Sequence, residues 1–192
     1  MARSKSTNYD MLTYWSEHGI HVPRRTINMI GDIDDDMAEH IVSATVALLG
    51  EGSTPITYLL DTTGGLETAG LTIFDTIRQA GSVTDTTIIV VGRAWSMGAI
   101  ILQAADMRIM WPNATLMLHV GDKSYEGHAE NVRRELLFDK KIDEVCDTII
   151  LDAMRKVNPE LTMGQLRSDM TLDTYYLADD TVRLGLADVV GG

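Results

Sequence analysis

An α/β domain is predicted for this chain by three observations. From Thr26 onward, short strand-like runs alternate with helical patterns; Thr87 to Gly92 (Thr-Ile-Ile-Val-Val-Gly) is an unbroken apolar run; and residues 129–157 contain neither Pro nor Gly. Alternating strands and helices pack as layers with a largely parallel sheet. An apolar run without polar alternation marks a strand covered on both faces. The long uninterrupted stretch, at ~1.5 Å per residue, predicts a helix of about 40 Å, longer than so small a domain can cover alone.

The elements follow in order. Residues 1–25 are polar, with Arg3, Lys5, Arg24 and Arg25 against Asp10 and Glu17, and read as an N-terminal arm closed by Pro23. Thr26 to Ile30 is a strand ended by Gly31. Asp32, Asp34, Asp35 and Asp36 stand where a helix starts, where carboxylates favour the helix dipole; they are read as helix-starting residues and not as a metal site. Met37, Ile41, Thr45 and Leu48 recur at helical spacing. Ile56 to Leu60 is a second strand, and Asp61 to Gly65 is its turn. A helix from about Thr68 to Gln79 places Leu71, Phe74 and Ile77 toward the core. After the Thr87 strand come a helix from Ser96 to Ala105 and strands at Arg108–Trp111 and Thr115–His119. Val132, Leu136, Val145, Ile149 and Ala153 mark the inner stripe of the long helix, whose protruding unit is placed at about 123–157. Residues 26–192 are read as a single domain.

Composition narrows the function. The 192 residues are 45% hydrophobic and carry a net charge of −12, a field that repels a phosphate backbone, so no nucleic-acid partner is expected. No apolar run approaches the ~20 residues of a membrane span, and Met1 to Leu12 has no apolar stretch of the kind a secretory leader needs. The single cysteine, Cys146, forms no disulfide within the chain and suits a reducing cytoplasm.

Four pieces carry chemistry. Ser96, in Arg93-Ala94-Trp95-Ser96-Met97-Gly98, sits at a strand-to-helix turn where its hydroxyl is exposed and the helix N-terminus favours developing negative charge. Ala94 replaces the leading glycine of G-x-S-x-G, and a serine here also serves as a helix cap. His119 ends the apolar strand Leu116-Met117-Leu118, within reach of a serine proton or as a structural histidine. Asp173, between Leu172 and Thr174, is a carboxylate able to hold an imidazole tautomer, with Asp179, Asp180 and Asp188 as competitors. Gly64-Gly65 lets a backbone amide approach a substrate oxygen, or makes a tight turn.

Together these segments resemble the Clp protease proteolytic subunits over about residues 26–190. The match runs through Asp61-Thr-Thr-Gly-Gly-Leu-Glu-Thr-Ala-Gly, Ala94-Trp-Ser-Met-Gly-Ala, Trp111-Pro-Asn with Met117-Leu-His119, Tyr125-Glu-Gly-His-Ala, and Asp173 through Gly185-Leu-Ala-Asp188. The resemblance implies a crotonase-like α/β fold, a repeated β-β-α superhelical core with a protruding handle helix. It implies a serine endopeptidase acting on unfolded polypeptides, with Ser96 as nucleophile, His119 as base and Asp173 as orienter. The amides of Gly65 and Met97 would form the oxyanion hole, and Leu66, Val120, Gly121 and Asp122 would border the bound chain. It further implies no metal or organic cofactor, a homo-oligomeric heptamer or tetradecamer enclosing the active sites, and a Clp-type AAA+ ATPase as partner.

The chain departs from that family at several places. Thr63 and Gly121 stand where prolines are usual, Trp95 is bulkier than the residue expected before the nucleophile, and the loop Gly121-Asp122-Lys123-Ser124 lacks the family's usual glycine pair. The strand Ile56–Leu60 offers one aromatic, Tyr58, where the ATPase-docking pocket is usually more aromatic, and the chain closes on Gly191-Gly192; a non-standard partner, or none, is therefore expected, as in a divergent phage-type member. An acyl-CoA hydratase or isomerase of the same fold, or a non-catalytic ring subunit, are the competing readings; the filled Ser, His and Asp positions count against both.

Overall fold

The structure is a computed structural model that describes residues 15, 18–121 and 123–191. Most of the predicted arm therefore lies outside the described residues. Its last part enters the sheet: β1 (Ile20–His21) pairs antiparallel with β2 (Thr26–Ile30) across a 3-10 turn at Val22–Arg24.

The order continues α1 (Asp35–Gly50), β3 (Ile56–Thr62), α2 (Glu67–Gly81), β4 (Thr86–Trp95), α3 (Met97–Leu102), β5 (Met107–Met110) and β6 (Thr115–Leu118). Then come α4 (Ala129–Arg155), α5 (Met163–Asp169), β7 (Thr174–Leu177), α6 (Ala178–Arg183) and β8 (Val189–Val190). The sheet runs β1-β2-β3-β4-β5-β8, parallel from β2 onward. β4 is long enough to serve two partners. Its first half pairs with β5, while Arg93–Trp95 at its end pairs with β6, and β7 lies antiparallel against β6.

Local sequence explains the elements. Asp34 caps α1, its carboxylate accepting the Met37 N–H at 2.8 Å, with Asp35 and Asp36 in the first turn. The inner stripe of α1 is Ile41, Ala44, Thr45 and Leu48; Thr45 is accommodated there because its hydroxyl meets that of Tyr58, at 3.0 Å. Tyr58 is fully buried, and that burial pushes its phenol up to about 12. The β3 aromatic therefore belongs to the core of the chain. Ile27, Met29, Leu60, Ile88 and Val90 complete the strand side of this core, against Ile41, Leu48, Ile73 and Ile77 from the helices.

Several expectations shift. On β4, Ile88 and Val90 are fully buried but Ile89 and Val91 are only half-buried, so one face is sealed and the other partly covered. In α2 the buried stripe is Ala69, Gly70, Ile73, Ile77 and Ala80, while Leu71 and Phe74 pack on the core from its edge. The handle helix begins only at Ala129, after the His128 cap, and residues 123–126 carry no regular structure. Its buried residues are Cys146, Ile150, Leu151, Ala153 and Met154, one position round from the predicted Val145 and Ile149. Its first half, including Leu136, Leu137 and Phe138, is exposed.

Candidate active site

The end of β4 turns sharply into α3 at Ser96, whose φ of 52° and ψ of −119° lie in a region that non-glycine residues rarely occupy. Strain of this kind persists only where surrounding structure enforces it. Here the Ser96 N–H donates to the Met117 carbonyl at 2.9 Å, tying the turn to β6. The side chain is thereby lifted out of the strand, toward the end of β6 where His119 stands.

Register brings the other two groups together. Because Trp95 pairs with Met117, Ser96 lies at the same level as Leu118 and next to His119. Because Leu118 pairs with Thr174 across the antiparallel ladder, one step further places Asp173 opposite His119. The Ser96 Oγ is 2.8 Å from His119 Nε2, and His119 Nδ1 is 3.1 Å from Asp173 Oδ1. The Tyr175 hydroxyl donates to the other oxygen of Asp173 at 3.3 Å. The three competitors are placed elsewhere: Asp188 is bonded to Arg108, Asp180 pairs with Arg183, and Asp179 lies in the first turn of α6.

The glycine pair approaches this centre closely. A Cβ on Gly64 would stand 2.6 Å from that of Ser96, and one on Gly65 would stand 2.2 Å from the Ile33 carbonyl oxygen. Ile33 bridges to Gly65 by accepting from Leu66 N–H at 2.7 Å and donating to Gly64 O at 2.9 Å. In such a parallel bridge the amide of Gly65 itself points away from Ile33, toward the cleft. The Met97 N–H is the first of its helix and has no intrahelical acceptor. Both amides thus border the space in front of Ser96, and both residues line the cavity there.

That cavity holds about 940 Å³ and opens on Gly65, Ser96 and His119. Leu66, Val120 and Gly121 flank it, the first two exposed to 53% and 55%; Asp122 lies outside the described residues. Trp95 does not line the cavity. Its indole N–H donates to Thr115 Oγ1 at 3.0 Å and its ring meets Tyr175 edge-on at 5.3 Å, so its bulk braces β7 beside the site. Thr63, in place of a proline, lines the cavity and donates to Asp32 at 3.4 Å.

Sequence reading missed the far wall. Lys123 Nζ bonds Glu67 Oε2 at 3.1 Å and Asp143 Oδ1 at 2.6 Å, and Tyr125 donates to Asp139 at 2.8 Å, fastening the loop after β6 onto the handle helix. Burial raises the Glu67 carboxyl above its ordinary range despite its bond to Lys123. Burial works against the Lys123 ammonium as well, but its two carboxylate partners outweigh that and hold it high. One signal was present: Glu135, Asp139, Asp143 and Asp147 repeat every four residues along a single helix face. Such a stripe ordinarily reads as solvated surface.

The Clp protease family model matches residues 17–192. The ATP-dependent Clp protease proteolytic subunit of Carsonella ruddii (strain PV) is 30% identical over 171 residues, covering 86% of this chain and 83% of that protein.

Proposed function

The chain belongs to the Clp protease family, and from that premise we propose that Ser96, His119 and Asp173 are the catalytic triad with which this serine peptidase hydrolyses polypeptides. The observation that carries the assignment is the continuous line of contacts from Ser96 Oγ through the imidazole to Asp173, at 2.8 and 3.1 Å. His119 Nε2 takes the hydroxyl proton as Oγ attacks the scissile carbonyl carbon, while Asp173 holds the proton on Nδ1 and stabilises the imidazolium. The carbonyl oxygen, now an anion, receives the amides of Gly65 and Met97. His119 then hands its proton to the departing amine, leaving an acyl ester on Ser96. Water, deprotonated by the same nitrogen, attacks that ester and releases the carboxylate. No step calls on a metal or organic cofactor.

The substrate lies extended between the segment after Gly65 and that after His119, so that Leu66, Val120 and Gly121 border it as neighbouring strands. The exposed apolar side chains of Leu66 and Val120, on either side of the cleft, support that path. Members of this family assemble from several copies and work with a Clp ATPase; for this chain the assembly we propose is a heptameric ring or a stacked pair. Cys146 is buried without a disulfide partner, which supports a reducing, cytoplasmic setting. Among the described residues no helix is long and apolar enough to cross a membrane.

The test is labelling with a fluorophosphonate and mapping of the modified residue, together with Ser96→Ala. Label on Ser96 and a rate loss of about 10⁶-fold are expected. An alanine variant that keeps a tenth of the peptidase activity would overturn the assignment.

A further inference from the structure

The cavity beside Ser96 is unusual in its charge. Near the serine its walls are apolar, from Met97, Ile100, Leu118, Ile150 and Met170. Farther in, among the described residues, six carboxylates and only three cations line it. Two of the cations are committed: Arg167 is paired with Asp147 at 2.6 Å, and Lys123 is shared between Glu67 and Asp143. One ammonium between two carboxylates leaves a net negative charge at that point, and the partner of Asp139 among the described residues is the neutral Tyr125 hydroxyl. Glu67 and Lys123 are largely withdrawn from solvent, with side chains 31% and 21% exposed, so this charge is screened less than a surface pair.

An apolar collar with a negative far end matches one kind of side chain: an aliphatic stem carrying a cation, whose methylenes stay in the collar while the head reaches the carboxylates. We infer that this cavity is a specificity pocket for lysine or arginine in the substrate residue that supplies the scissile carbonyl, with Glu67 and Asp143 as the groups that read the charge. The placement follows from the openings of the cavity. It begins at the serine and the Gly65 amide, so the side chain nearest the attacked carbonyl is the one directed into it. The volume, about 940 Å³, accommodates an arginine without displacing the Lys123 cluster. The pocket thus selects by charge at its end and tolerates length.

This inference rests on the triad assignment, and the experiment separates the two. The purified full chain is assayed with fluorogenic peptides that differ only in the residue before the cleaved bond: lysine, arginine, norleucine (the neutral counterpart of lysine) and glutamate. The lysine and arginine peptides are expected to exceed norleucine by about tenfold in kcat/KM, with glutamate slowest, and the lysine advantage should shrink as salt is raised. Asp143→Asn and Glu67→Gln, each made alone, should bring the lysine-to-norleucine ratio toward one. Two variants on different elements keep the test decisive should either fold poorly, since each ratio is internal to one preparation. Norleucine cleaved as fast as lysine, or a ratio that survives both substitutions, overturns the pocket assignment while leaving the triad standing. Failure to cleave any peptide, with no fluorophosphonate on Ser96, overturns the triad reading and this one with it.

Discussion

Asp173 is the most open of the three aligned groups, with 54% of its side chain exposed against 26% for His119. An exposed orienter is partly replaceable by water, so Asp173→Asn should cost less than His119→Ala: up to about 10⁴-fold in kcat, read with any cleaved peptide. Full activity in that variant would move the orienting role to another residue. Sequence spacing did not choose among Asp173, Asp179, Asp180 and Asp188, because the choice is made by the pairing of Leu118 with Thr174, a long-range register. Ser96 was legible for the opposite reason, its turn being local. A second carboxylate matters to the scaffold. Asp61 takes bonds from the Arg93 side chain and backbone at 2.8 and 2.9 Å, and the side-chain bond to Arg93 holds its carboxyl below the ordinary range. A depressed folded-state value stabilises above the unfolded-state value of about 4 and is lost as pH falls through the lowered one. The stability gap between the wild-type protein and Asp61→Asn, measured by urea unfolding, should therefore be present at pH 7 and shrink at pH 3. A constant gap would mean that Asp61 acts through packing alone.

At the scale of elements, the segment carrying Gly64 and Gly65 is fixed by a bridge to Ile33, not by a helix or ladder of its own. Gly65→Ala brings a Cβ to 2.2 Å from a backbone oxygen at a φ of 152°, a conflict that rotamer change cannot relieve. The segment must shift, and the amide aimed at the oxyanion shifts with it. The expected result is a loss of kcat of about 10²-fold or more, the usual scale for one oxyanion donor, with far-ultraviolet circular dichroism unchanged. Retained kcat would show that Gly65 is only a turn residue. The longer elements, α1, α2 and β4, were visible because 16, 15 and 10 residues carry their pattern. α5, β7, α6 and β8, of 7, 4, 6 and 2 residues, were not assigned from the sequence; β7, for one, owes its place to its antiparallel pairing with β6, a long-range contact. In the handle stripe Ala153 is buried as expected, while Cys146 and Ile150 are buried in place of Val145 and Ile149, for a related reason. Val145 and Ile149 are as apolar as the residues that face inward, and only the packing of the second half of α4 separates the two stripes.

For the whole molecule, α4 sets the terms. Its 27 residues extend for about 40 Å, yet its buried positions all lie from Cys146 onward. The first half displays Leu136, Leu137 and Phe138 at 36%, 51% and 56% exposure, a consecutive apolar surface that a solvated helix does not ordinarily keep. Leu172, just before β7, and Leu177, the last residue of that strand, are exposed to 79% and 66%. Among the described residues no element of a single copy covers these faces, whereas a family that works as an oligomer has further copies to place against them. Light scattering at micromolar concentration should therefore give a heptamer or double heptamer, and a monomer would refute the ring. A trimer would point instead to the hydratase-like branch of the fold. Leu137→Glu combined with Phe138→Glu places charge on the handle without touching the triad, and should yield a smaller species by the same measurement. Because each copy carries a net charge of −12, mutual repulsion opposes assembly and is screened by salt. Raising ionic strength should shift the double variant back toward the larger species only in part, since screening removes repulsion between copies but restores no apolar contact. Complete recovery at high salt would mean that the handle contact is electrostatic and that the exposed apolar residues are incidental to it.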